Sequence, residues 1–191
     1  MKAGKKMKSI FANMQFDKAR ALPLILTGAI ILIDQVTKAI IAGFPITRRF
    51  DPPIIDVFNN DFLHIIHVRN PFIAFSLGQS IPEILRPVLF IVMPIVVLLI
   101  LVLYYLSSND FTRLQRWATA GILGGGMGNI IDRIFRPDGV VDFISVKFYG
   151  FLGFERWPTF NVADSSVVVC CILLFISIII APGTKKRSSG E

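Results

Sequence analysis

Two aspartates stand where carboxylates are costly. Asp142 follows Val140 and Val141 and precedes Phe143 and Ile144, while Asp164 closes the stretch FNVAD at the head of a long apolar run. An apolar setting disfavours the ionised form, so the pKa of Asp142 is expected to rise. Asn161 can cap a helix, which would put Asp164 at its third position, where the helix dipole favours a carboxylate. Capping would account for Asp164 taken alone, and a turn would account for Asp142. Pro137-Asp138-Gly139 is itself a turn signature, with Asp138 serving the turn, and it folds the chain back so that both aspartates reach one depth. Two carboxylates brought together cannot both ionise cheaply; one keeps a proton, and the pair titrates as a unit. Such a pair supplies a general base to activate water and a general acid for a leaving amine. It hydrolyses amides with no metal and no cofactor, and neither is expected here.

Other polar residues recur near these two. Asp34 and Lys38 are spaced i, i+4, so they share a helix face and can pair; a packing role accounts for both, and for Asp34 direct chemistry stands equally open. In GGGMGNIIDR, Asn129, Asp132 and Arg133 fall on one face, with Arg133 able to extend toward headgroups. Gly124, Gly125, Gly126 and Gly128 allow a neighbouring helix to approach closely; no Walker-type lysine follows to make them a phosphate cradle. His64 and His67 lie in a strand-like stretch that points them to opposite faces, so they make a poor metal pair. Cys170 and Cys171, adjacent within an apolar run, read as small packing residues.

The elements that must hold these residues are apolar enough for lipid. Of the 191 residues 53% are hydrophobic and only 17% charged, too few charges to wet the surface of a soluble domain. A span needs roughly 20 mostly apolar residues, and four segments qualify: 22–44, 83–106, 112–134 and 161–181. No small-residue cleavage site follows the first, so it is expected to remain as a span. The net charge of +7 concentrates at the ends of these runs, with Lys2, Lys5, Lys6, Lys8, Lys18 and Arg20 before the first and Lys185, Lys186 and Arg187 after the last. That distribution reads as topology and attraction to membrane lipids, not nucleic-acid binding. The tails 1–21 and 182–191 and the loop 107–111, with Arg113 and Arg116 just beyond it, are expected on the cytoplasmic side, and the loops 45–82 and 135–160 outside. FLHIIHVRN and FIAFSL in the first outer loop suggest a small β-hairpin or sheet. The aromatic stretch FYGFLGFERWPTF in the second, with Tyr149 and Trp157, suits the headgroup layer. The expected fold is therefore a single all-α membrane domain of four transmembrane helices, with a small extracytoplasmic β-sheet or cradle and an interfacial loop or short helix.

DQVTK in the first span, GGGMGNIIDR, GVVDFI and FNVADSS, in that order, resemble the bacterial lipoprotein signal peptidases (signal peptidase II), and the resemblance covers the whole chain. It implies an intramembrane aspartic endopeptidase of the cytoplasmic (inner) membrane that cleaves diacylglyceryl-modified prolipoproteins just before the lipidated cysteine and is inhibited by globomycin; a monomer is expected. The family's catalytic aspartates carry over to Asp142 and Asp164. Its supporting residues carry over to Asp34, Lys38, Asn129, Asp132, Arg133, Asn161 and Ala163, and Asn70 becomes a substrate or inhibitor contact. One departure follows Asn70: Phe72 and Ile73 stand where the family carries small residues before Ala74, Phe75 and Ser76. A rival reading is a proton-coupled transporter with Asp34, Lys38 and Asp132 as a relay, although such proteins place their binding groups near the membrane midplane.

Overall fold

The computed structural model describes residues 17–71 and 81–180. The basic residues Lys2, Lys5, Lys6, Lys8, Lys185, Lys186 and Arg187, the FIAFSL stretch and, with it, Phe72 and Ile73 lie outside the described residues.

Four long helices make the body. A short turn, α1 (Lys18–Ala21), leads into α2 (Leu24–Ala42). The second long helix runs from Glu83 to Ser107 through a 3-10 turn (Glu83–Leu85), a π-helical turn (Val88–Val92) and α3 (Met93–Ser107). The others are α4 (Arg113–Phe135) and α5 (Val162–Ile180). Lys18–Ala42, Glu83–Ser107 and Val162–Ile180 are long and apolar enough to cross a membrane by length and composition. α4, expected to be a span like the rest, does not reach that apolarity. It is the central helix instead, packed against α5, α2 and α3, with Thr119, Asp132 and most of its glycines buried. Its polarity is tolerable because neighbouring helices, and not lipid, surround it. The outward faces of the others carry exposed Ile25, Leu32, Val97, Ile100, Phe175 and Ile179, an apolar surface that water would penalise and lipid would not.

Small residues set the helix spacing. A side chain on Gly128 would meet the Asp34 carboxylate at 2.6 Å and Ala163 Cβ at 3.2 Å, so α4 approaches α2 and α5 only because no Cβ stands there. Cys170 is buried against Gly121, as expected of a packing residue, whereas Cys171 is exposed on the outer face of α5. Thr27 Oγ1 donates to the Ala120 carbonyl at 2.7 Å, and Ser166 Oγ to that of Gly121 at 3.0 Å, stitching α2 and α5 to α4.

A three-stranded antiparallel sheet caps one end of the bundle in the order β1 (Ile55–Asp56), β2 (Leu63–Asn70), β3 (Val140–Val146). The strand in FLHIIHVRN was expected. β3 lies within 135–160, expected as an outer loop, and the partners of β2 are β1 and β3. Val140, Val141, Asp142 and Phe143 are all buried, so β3 lacks the alternation that marks a half-buried strand. Ile41 of α2 packs with Val141 and Phe143, seating the sheet on the helix end.

Past β3 the chain turns through Phe151–Gly153 and doubles back, with Trp157 N–H donating to the Val146 carbonyl at 2.9 Å and Phe160 pairing with Ile144. A polar clasp ties this return to the first loop. Asp61 accepts from Lys147 Nζ at 2.6 Å and from Arg156 Nη1 at 3.0 Å, and His64 Nε2 lies 3.0 Å from it. His67, three residues on, is buried elsewhere, with Nδ1 2.8 Å from the Phe44 carbonyl, so the two histidines share no site.

Candidate active site

Asp142 enters the site from β3 and Asp164 from the first turn of α5. Each is held by amide donors. Asn70 Nδ2, at the end of β2, donates to Asp142 Oδ2 at 2.9 Å, and Asn161 Nδ2 to Oδ1 at 2.7 Å. Asn129 Nδ2, on α4, donates to Asp164 Oδ1 at 2.7 Å. The expected cap forms in both directions: Asp164 N–H donates to Asn161 Oδ1 at 2.9 Å, and Asn161 N–H to Asp164 Oδ2 at 3.2 Å. Asn161 therefore touches both carboxylates. With its carbonyl oxygen taken by the α5 backbone, its NH2 has to turn toward Asp142.

Asn129 is oriented by the same logic. Lys38 Nζ donates to its Oδ1 at 2.9 Å, which leaves the NH2 for Asp164. Lys38 also pairs with Asp34 at 2.8 Å, the i, i+4 contact expected from spacing, and with Asp132 at 3.2 Å; all three side chains are fully buried. Both carboxylates reach on to backbone. Asp34 Oδ1 accepts from Ala163 N–H at 2.9 Å, one of the unpaired amides at the start of α5, and Asp132 Oδ2 accepts from Val141 N–H at 3.1 Å, next to Asp142. The lysine-centred cluster thus holds in place the two backbone segments that carry Asp142 and Asp164. Ala163 contributes through its amide and its smallness.

Asp132 is buried beside Lys38, whereas Arg133 faces the Asp142–Asp164 side with Asn129 and reaches toward the second long helix. Its Nη1 reaches the Phe90 carbonyl at 3.4 Å, and the guanidinium lies over the Phe90 ring. Pro94 lacks the N–H that would bond that carbonyl in an α-helix, which is where the π turn occurs. Sequence reasoning missed two supports. Gln35 Nε2 donates to Asp132 at 3.0 Å and to the Gly128 carbonyl at 3.0 Å, and Arg136 Nη1 donates to Asp132 at 2.9 Å. A glutamine beside Asp34 within an apolar span was the available signal.

A cavity of about 620 Å³ opens on the pair. Asn70, Asn129 and Arg133 line it beside Asp142 and Asp164, and Val167, Val168, Trp157 and Phe160 form an apolar wall. Asp142 is only 3% exposed. Burial pushes its carboxyl up to about 7; the Asn70 amide works against the rise, and the nearby Asp164 charge adds to it.

Buried paired carboxylates on a bundle with apolar outward faces belong to a mostly helical membrane enzyme. A solved structure described as a bacterial membrane enzyme at 2.3 Å matches this fold with a TM-score of 0.69 and 27% identity, covering 90% of this chain and 95% of that one. A second such structure, at 1.9 Å, matches with a TM-score of 0.66 and 28% identity over 83% of this chain and 93% of its own. The chain belongs to the signal peptidase II family, whose model, described as Signal peptidase (SPase) II, matches residues 26–180. It is 48% identical over 166 residues to a lipoprotein signal peptidase of Treponema denticola, covering 87% of this chain and 92% of the relative. Another from Treponema pallidum is 39% identical over 165 residues, covering 86% and 87%. The protein is a protease that removes signal peptides from prolipoproteins, which leaves no place for the transporter reading.

Proposed function

We propose that Asp142 and Asp164 are the catalytic diad, and that the bond they hydrolyse lies just before the lipidated cysteine of diacylglyceryl-modified bacterial prolipoproteins. The observation that carries this is Asn161, whose side-chain amide reaches Asp142 while its backbone amide reaches Asp164, at the edge of one cavity. Asp142, the more deeply buried, holds the shared proton and Asp164 the charge. Asp164 takes a proton from the attacking water as the new C–O bond forms, and Asp142 gives its proton to the carbonyl oxygen. Collapse of the tetrahedral intermediate returns a proton to Asp142, breaks the C–N bond and delivers the Asp164 proton to the departing amine. Asn70, Asn129 and Asn161 fix the carboxylates; Asp34, Lys38 and Asp132 fix the backbone that bears them.

The membrane placement follows the charge distribution. α4 acts as a fourth span shielded by its neighbours, both termini are cytoplasmic, and the sheet and the diad lie at the outer face of the cytoplasmic (inner) membrane. Substrate enters laterally from the bilayer, its signal helix against the valines of α5, and the aromatic return at 148–157 closes over it. The enzyme works as a monomer and is inhibited by globomycin. Asp142→Asn and Asp164→Asn should each lower cleavage of a lipidated prolipoprotein peptide by about three orders of magnitude or more while leaving the protein membrane-inserted. Full activity in either purified variant, or wild-type cleavage that globomycin does not block, would overturn the reading.

A further inference from the structure

A second cavity, of about 210 Å³, lies beside the first and shares Asn70 and Arg133 with it. Its lining includes three arginines, Arg86, Arg133 and Arg136, and one acidic residue, Glu83. Each arginine is fixed at the wall. Arg86 Nε donates to the Ile81 carbonyl at 3.2 Å, Arg133 bonds and stacks on Phe90, and Arg136 donates to the buried Asp132. Asp132 takes up part of this charge through Arg136 at 2.9 Å, and Asp142 and Asp164 act on Arg133, while Glu83 adds little, since it sits 3.7 Å from Arg86 on a side chain that is 89% exposed. Like charges converging on a small cavity are stabilised by an anion between them, and guanidinium groups suit phosphate oxygens above other anions. The flanking sequence supplies the second half of the chemistry: Ile84, Val88, Ile134 and Phe135, each next in the chain to a lining residue, are all exposed.

The geometry points to a site for the phosphate of an anionic phospholipid, with the headgroup in the arginine cavity and the acyl chains along these flanking apolar residues. A cavity of this size takes the phosphate and the carbons next to it, while the chains stay in the bilayer. Because Asn70 and Arg133 serve both cavities, and Asn70 also holds Asp142, a bound headgroup steadies the catalytic site and favours substrate binding. The inference takes from the proposed function only the membrane placement of this end of the bundle.

The test uses the whole protein in nanodiscs of phosphatidylcholine, with and without phosphatidylglycerol, reading retained lipid by mass spectrometry and KM for a lipidated prolipoprotein peptide. Wild-type protein should retain phosphatidylglycerol over phosphatidylcholine and show a KM roughly fivefold lower in its presence. Arg86→Gln should lose both effects, whereas Glu83→Gln, which removes the competing carboxylate, should strengthen retention; a merely structural arginine would not give opposite signs. Equal retention of the two lipids by wild-type protein, or a preference unchanged in both variants, overturns the site. Glycerol 3-phosphate or inorganic phosphate restoring KM in phosphatidylcholine alone overturns the assignment to lipid. Selective retention without cleavage in any lipid would count against the proposed reaction and leave the lipid site standing.

Discussion

Two clusters of paired charges link distant parts of this molecule, and they differ mainly in what surrounds them. At the bundle core, Lys38 is bracketed by Asp34 and Asp132, with no side-chain surface left exposed. In the outer loops, Asp61 is bracketed by Lys147 and Arg156, and about half of its side chain is exposed. The distances are alike, but the consequences are not. Buried charges lose their hydration and are tolerable only when every partner is present, so the core cluster tolerates no missing member. Exposed charges keep water and salt as substitutes, so the clasp guides the loops more than it stabilises them. Geometry alone does not rank ion pairs; solvent access does.

The sharpest break of that contrast is Lys38→Met, which leaves two buried carboxylates facing each other. A loss of about 3–5 kcal/mol is expected on unfolding in detergent, with cleavage lost alongside. Stability near that of the wild type would show that the core pair behaves like the surface one.

pH separates the two regions by sign. The folded pKa of Asp142, about 7, lies above its unfolded value, so the folded protein holds the proton more tightly. The stability this contributes is complete below about pH 4 and declines as pH rises toward 7, by up to about 4 kcal/mol. Asp61 runs the other way. The hydrogen bond from Lys147 holds its carboxyl below the ordinary value, so its contribution is present at neutral pH and is lost as pH falls below about 4. Unfolding measured across pH 3–8 should show the neutral-side decline flattened in Asp142→Asn and unchanged in Asp61→Asn.

Gly128→Ala probes the core cluster through space and not charge. The added methyl must displace the Asp34 carboxylate or Ala163, which should cost about 1–3 kcal/mol and lower cleavage with the cavity residues intact. The smallest effect belongs to Asp61→Asn. Its melting temperature should fall slightly in low salt and match wild type in 1 M salt, where the Debye length is only about 3 Å; a large, salt-independent fall would move the clasp into the class of the core.

Much of this was legible in the sequence because it is local. The Asp34–Lys38 pair follows from i, i+4 spacing, the Asn161–Asp164 cap from a three-residue offset, and the glycine contacts from the composition of α4. What stayed hidden was long-range or unpatterned. β3 has both faces covered, so it shows none of the alternation that reveals a half-buried strand. The Asp61 clasp joins residues 86 and 95 positions apart, and nothing at either end announces the other. Arg133 turned out to answer Pro94, a residue on a different helix.

Asn161 has a consequence for how the site tolerates motion. β3 and α5 are separate elements, and two carboxylates mounted independently on them would be free to drift apart. Here one residue reaches both, through atoms joined by a few covalent bonds of fixed length. The spacing of the two carboxylates is gauged by a rigid piece of chemistry that belongs to one residue. The scaffold can breathe while the distance that matters is copied from a single amino acid.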